Sequence, residues 1–205
     1  MPFHLRKIIK NIILKLHKSY ELNKYDDFSI AEYFRKQGAR IGRDNRLKIR
    51  SLGPEPYLVS IGNHCTIASN VAFNTHDGAT WVFTEEHPRL QKFGPIKIRD
   101  NCFIGMSSII LPNVTIGPNS IIGAGSVVTK DVPPGVVAAG NPAKRISTID
   151  EYKKKVLKIW DQQAPSDYLL SLQDGGKYSP EDIFVNKFRE THILREHLIR
   201  FFGGE

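Results

Sequence analysis

Residues 98–128 read IRDNCF IGMSSI ILPNVT IGPNSI IGAGSV V, and this stretch decides the fold. Every sixth residue is β-branched: Ile98, Ile104, Ile110, Ile116, Ile122 and Val128. Three places after each aliphatic stand Asn101, Ser107, Asn113, Asn119, Gly125 and Asp131, which tolerate left-handed backbone or close Asx-type turns. Four places after it stand Cys102, Ser108, Val114, Ser120, Ser126 and Val132, small enough for the inside of a tight corner. A fixed period of this kind marks a stacked repeat, in which no unit can bury its apolar face alone. Each hexad is expected to be a short strand plus a turn, with the aliphatic column stacking coil on coil. The fold class is an all-β solenoid, a parallel β-helix of hexapeptide repeats with flanking helices.

Upstream the same register returns in Ile61-Gly62-Asn63-His64-Cys65-Thr66 and Ile67-Ala68-Ser69-Asn70-Val71-Ala72, then at Phe73. A weaker piece runs from Ile41 to Ile49 and loses register near Pro54 and Pro56, where a small insertion is expected. Between Asp77 and Pro95 the repeat is absent. This excursion (77–95) holds Trp81, Phe83 and Phe93 and reads as a loop thrown out from one coil, where a functional site is commonly carried on a rigid scaffold.

The flanks read as helices. Leu5, Ile8, Ile9, Ile12, Ile13 and Leu16 recur at helical spacing, with Arg6, Lys7, Lys10 and Lys15 largely off that stripe. Such a helix either caps the open end of the solenoid or contacts an anionic membrane surface. After Pro142 the hexads stop. Asp150–Asp161 looks helical, and Ser179-Pro180-Glu181-Asp182 reads as the start of another helix running toward Phe202. The expected organisation is an N-terminal helical cap (1–40), the hexapeptide-repeat body (41–147) and a C-terminal helical extension (148–205).

The 205 residues suit one sizeable domain with short flanking pieces. A formal charge of +8 favours an anionic partner without choosing one. Nucleic-acid binding has only that charge behind it, and neither a Walker loop nor a dinucleotide fingerprint is present. The two cysteines, Cys65 and Cys102, form no metal-ligand spacing and sit in the small inward column. The N-terminal apolar stretch is too short and too interrupted to span a membrane. The expected location is the cytoplasm, with the inner face of the membrane as a possible station.

The segments Ile116-Gly117-Pro118-Asn119-Ser120-Ile121-Ile122-Gly123-Ala124-Gly125-Ser126-Val127-Val128-Thr129-Lys130-Asp131-Val132-Pro133-Pro134 and Ala138-Ala139-Gly140-Asn141-Pro142-Ala143-Lys144 resemble the end of the hexapeptide-repeat acyltransferases. The similarity covers about residues 41–147 and extends to maltose and galactoside O-acetyltransferases, xenobiotic acetyltransferases and sugar acetyltransferases of surface-polysaccharide assembly. It implies a left-handed β-helix, against the usual right-handed crossover rule. It also implies a homotrimer with sites between subunits, acetyl-CoA as co-substrate without a metal, a sugar or glycan acceptor, and a histidine general base on the loop-bearing coil. Carried over by position, acetyl-CoA contacts fall at Met106, Ala124, Thr129, Lys130 and Lys144; relatives often have arginine at the last.

Acyl transfer to a hydroxyl needs a base, an oxyanion donor and a groove for the pantetheine arm. His76, in Asn74-Thr75-His76-Asp77-Gly78, is the candidate base, with Asp77 or a backbone carbonyl to orient its ring. His87, in Glu86-His87-Pro88, is the rival, while His64 falls in the left-handed turn column. The oxyanion donor would be a backbone N–H of Gly105 or Met106, or of Gly123 or Ala124. Asn74 and Asp77 are candidate acceptor contacts. Trp81 either stacks on a sugar ring or packs the loop down, with packing slightly favoured. Lys130, Lys144 and Arg145 form a basic cluster suited to CoA phosphates or to a solvated face.

Other readings keep their place: an amine acceptor in place of a hydroxyl, a non-catalytic binding β-helix, and a γ-type carbonic anhydrase. The last would require metal-ligating histidines close together on adjoining coils, whereas His64, His76 and His87 are widely spaced.

Overall fold

The structure, a computed structural model, describes residues 3–163, 197 and 199–202. Two compact units are present, 1–149 and 150–205.

The first unit opens with helices α1 (Phe3–Leu22) and α2 (Ile30–Lys36). Short strands follow: β1 (Arg40–Ile41), β2 (Arg46–Leu47), β3 (Val59–Ile61), β4 (Thr66–Ile67), β5 (Ala72–Phe73), β6 (Ile96–Ile98), β7 (Phe103–Ile104), β8 (Ile109–Ile110), β9 (Thr115–Ile116), β10 (Ile121–Ile122), β11 (Val127–Val128), β12 (Val136–Ala139) and β13 (Lys144–Thr148). They form three sheets, ordered β1-β3-β6-β9, β13-β12-β10-β7-β4-β2 and β11-β8-β5. Every pairing is parallel except the antiparallel closure of β12 with β13. From β6 to β11 the chain visits the first, second and third sheets in rotation. Lys97 faces Thr115, Phe103 faces Ile121 and Ile109 faces Val127, a step of three hexads in each sheet.

The three columns read from the sequence explain this path. The aliphatics Ile98, Ile104, Ile110, Ile116, Ile122 and Val128 are all buried in one core. Asn101, Ser107, Asn113, Asn119 and Gly125 adopt left-handed backbone, which turns the chain from one sheet to the next. His64 does the same, and its Nδ1 lies 2.8 Å from Asn101 Oδ1, as the turn-column reading requires. Asp131 is the exception: it turns without left-handed backbone and accepts the Thr115 N–H at 2.7 Å. The inward column is buried, and its polar members are satisfied. Ser108 donates to Gly105 O at 2.8 Å, Ser120 to Pro133 O at 3.0 Å and Ser126 to Gly123 O at 2.6 Å. Cys65 and Cys102 fill the same column, donating to Arg99 O at 3.0 Å and Gly117 O at 2.9 Å.

The regular step fails twice. Between β2 and β3 a short insertion crosses the third side, and between β5 and β6 the 77–95 loop leaves it. The loop holds a 3-10 helix over Gly78–Phe83 and is closed at its neck by an antiparallel bridge of His76 with Phe93 and by Gly94 N–H donating to Thr75 O at 2.9 Å.

The end of the stack is covered by α2. Ile30, Ala31 and Phe34 are buried in the same core as Ile41 and Leu47, and the Arg35 guanidinium donates to the carbonyls of Ile41 and Gly42. The expectation that Leu5–Leu16 caps the stack is therefore not met. Every described side chain of α1 from His4 to Leu16 is exposed, and α2 already occupies the apolar end.

The second unit begins within α3 (Ile149–Gln163), the helix expected near Asp150, with Asp150 and Glu151 suited to its N-terminal dipole. The helix start at Ser179 lies outside the described residues; 197 and 199–202 are helical.

Candidate functional site

The corner where the third sheet passes into the first carries the densest chemistry. Phe73, Ile110 and Val128 stack in the third sheet. One place on, Asn74, Leu111 and Thr129 share a register, with Asn74 N–H donating to Ile110 O and Leu111 N–H to Val128 O. Two places on come Thr75, Pro112 and Lys130, and three places on His76, Asn113 and Asp131. The stack thus brings Asn74, His76, Thr129 and Lys130 to one edge, two circuits apart, or about 10 Å at the usual strand spacing.

His76 is fixed by a residue that the sequence reading missed. Its Nδ1 lies 3.0 Å from Glu55 Oε2, and the same carboxylate oxygen accepts the hydroxyl of buried Thr75. Glu55 is largely buried, its side chain 13% exposed, while His76 is 42% exposed. The Thr75 hydroxyl, and then His76, hold the Glu55 carboxyl below the usual carboxylate range. An ionised carboxylate can only accept, so His76 Nδ1 is the donor, and in the neutral ring Nε2 carries the lone pair. Nε2 has no hydrogen-bond partner among the described residues. Phe93 meets the ring edge-on, centroids 6.0 Å apart.

Glu55 arrives on the insertion Gly53-Pro54-Glu55-Pro56. Gly53 has φ +83°, and a Cβ there would lie 2.7 Å from Phe73 O, so only glycine lets the insertion approach the third sheet this closely. The loss of register at Pro54 and Pro56 was the available signal: an acid between two prolines on the coil preceding the His76 coil.

Asp77 does not orient the ring. Its carboxylate accepts the Lys92 ammonium at 2.9 Å and the Ala79 N–H at 3.0 Å, and these two contacts, the lysine first, hold it below the usual range. It pins the neck of the loop. Nor does Trp81 pack the loop down: it is 79% exposed, alongside exposed Val82, Phe83, Leu90 and Phe93. His87 is exposed, and its backbone N–H donates to Phe83 O at 2.7 Å; no acid meets its ring among the described residues.

Gly105, Met106, Gly123 and Ala124 lie at a different corner, between the second and third sheets. The N–H groups of Gly105 and Gly123 already donate within the stack, to Ile122 O at 2.8 Å and Ala138 O at 2.9 Å. Neither is available to an oxyanion, which corrects half of the expected donor set. The N–H groups of Met106 and Ala124 have no acceptor among the described residues, and both residues are exposed. One chain therefore places its histidine and its open N–H groups on opposite sides of the third sheet and does not bring them together. Lys144 faces Ala139 and Arg145 faces Ala138 across the closure of β12 with β13, and both basic side chains are exposed with Lys130.

Among the described residues no group of three or more His, Cys, Asp or Glu is placed to hold a metal ion. No helix among them is long and apolar enough to cross a membrane.

Residues 95–130 match the family model described as bacterial transferase hexapeptide (six repeats). Protein CapG of Staphylococcus aureus is 44% identical over 187 residues, covering 89% of this chain and 98% of that protein. Galactoside O-acetyltransferase of Escherichia coli K12 is 40% identical over 114 residues, 56% of each chain.

Proposed function

The chain belongs to the bacterial hexapeptide-repeat transferases and is an acyltransferase, and from that premise we propose that it moves an acetyl group from acetyl-CoA to a hydroxyl of a sugar or glycan, with His76 as general base. The observation that carries this reading is the Glu55–His76 pair, which leaves Nε2 open at the neck of the loop. Nε2 would take the proton of the acceptor hydroxyl as its oxygen attacks the thioester carbonyl. The imidazolium, stabilised by the Glu55 carboxylate, would return that proton to the departing thiolate. No covalent intermediate on the protein is needed.

The oxyanion would be met by the N–H of Met106 or Ala124, since those of Gly105 and Gly123 are engaged. Thr129, Lys130 and Lys144 would contact acetyl-CoA, the lysines as point charges toward its phosphates. Asn74 would bind the acceptor, and exposed Trp81 would stack on its ring. Asp77 shapes the acceptor side through the loop neck.

The rotating parallel sheets and the family membership support a left-handed β-helix and a homotrimer. The separation of His76 from Met106 and Ala124 within one chain supports a site completed by a neighbouring copy. The similarity to a galactoside O-acetyltransferase supports a sugar acceptor. Domain limits of 1–40, 41–147 and 148–205 belong to the same reading.

The test is thiol release from acetyl-CoA against a panel of sugars, nucleotide sugars and lipid-linked glycans. Hydroxyl acceptors should turn over in the wild type and not in His76→Ala. Turnover of amino sugars alone, indifferent to His76, would assign an amine acceptor. A monomer by light scattering at micromolar concentration would remove the intersubunit site.

A further inference from the structure

Helix α1 is twenty residues long, about 30 Å, and finds almost no partner among the described residues. Only Leu22, at its end, joins the core. Leu5, Ile8, Ile9, Ile12, Ile13, Leu16 and Tyr20 are exposed, and helical spacing places them on one face. Lys7 and Lys10 fall on the other face and Arg6 and Lys15 at the two margins of the stripe, while no acidic residue precedes Glu21. Leu14 alone departs from the pattern.

Charge decides between the occupants of such a face. A second copy of α1 would bring basic helices together with no acid between them before Glu21, so packing of the two stripes would be opposed by repulsion. An anionic phospholipid surface meets both faces at once, taking the apolar stripe into the acyl boundary and pairing the basic face with headgroups. We propose that α1 lies in the plane of an anionic phospholipid bilayer surface and holds the enzyme there. This goes beyond the catalytic reading and does not depend on which acceptor is used.

The test is flotation of the full chain with vesicles of phosphatidylcholine, alone or mixed with phosphatidylglycerol. The wild type should float with the anionic vesicles only, and less so in high salt. Changing Lys7, Lys10 and Lys15 together to Gln should lower partition by about a hundredfold, with the melting temperature unchanged. Ile9→Asp with Ile12→Asp should also abolish flotation and leave the light-scattering mass as in the wild type. If that variant fails to fold, the lysine variant still decides. Absence of wild-type flotation, equal flotation with neutral vesicles, or a smaller assembly in the Ile9→Asp/Ile12→Asp variant would overturn the proposal; the last would assign the stripe to a second copy.

Discussion

Residues 95–130 and residues 53–94 occupy the same stack of sheets and use it in opposite ways. In the first region each corner residue serves the backbone: left-handed turns at Asn101, Ser107, Asn113, Asn119 and Gly125, and inward hydroxyls bonded to carbonyls. In the second the register breaks twice, and both breaks deliver a side chain to one corner. The insertion brings Glu55, and the neck of the long loop brings His76. In the regular region the open groups are backbone N–H groups, at Met106 and Ala124; the interrupted region adds an open side-chain nitrogen, His76 Nε2, beside the points where its repeat fails.

The largest test of that contrast is His76→Ala. A general base contributes about 10²- to 10⁴-fold, so turnover should fall by that range, with the melting temperature and acetyl-CoA binding retained. Loss of folding in place of activity would show that the corner is structural. Next in size is Ile110→Ala in the regular region, where deleting a fully buried aliphatic should cost about 2–5 kcal/mol of stability. Denaturant unfolding should show this, with the specific activity of the folded fraction little changed. Lys130→Ala should raise KM for acetyl-CoA by about tenfold or more if its ammonium meets a phosphate. It should leave kcat near the wild type, because that contact is made equally in ground and transition states.

How much of this was legible in the sequence follows from which residues obey the period. The hexads located the strands and the buried column through Ile98–Val128, and His64 as a turn residue, because those roles recur and each copy reinforces the others. Glu55 was not legible as the partner of His76. It sits between two prolines outside the period, and twenty-one positions separate it from the histidine it holds. The engagement of Gly105 and Gly123 N–H was hidden for the converse reason: the repeat suggested available donors, whereas stacking uses those same groups as inter-coil bonds. Helix α1 was legible as an amphipathic helix but not as an unburied one, since amphipathicity does not reveal that α2 already fills the end of the stack.

The finest test sets Glu55 against Asp77, the carboxylate that sequence proximity favours. Glu55→Gln keeps the shape but replaces an acceptor-only carboxylate with a neutral amide that can also donate, so the charge is lost and the His76 tautomer is no longer fixed; turnover should fall by about tenfold or more with KM for acetyl-CoA unchanged. The charge also has a pH signature. A carboxyl lowered in the folded protein contributes stability above its ordinary value, about pH 4.3, and loses it as pH falls through the folded value. The wild type should therefore lose stability in acid more steeply than Glu55→Gln. Asp77→Asn removes a charge that serves Lys92 and the Ala79 N–H on an exposed neck. Exposed pairs of this kind are weak, so turnover should change by no more than about twofold. Both variants lie within a few residues of the same imidazole or its partner, so steady-state kinetics measured side by side rank the two directly. A larger loss from Asp77→Asn than from Glu55→Gln would mean that the loop neck, and not the insertion, sets the base.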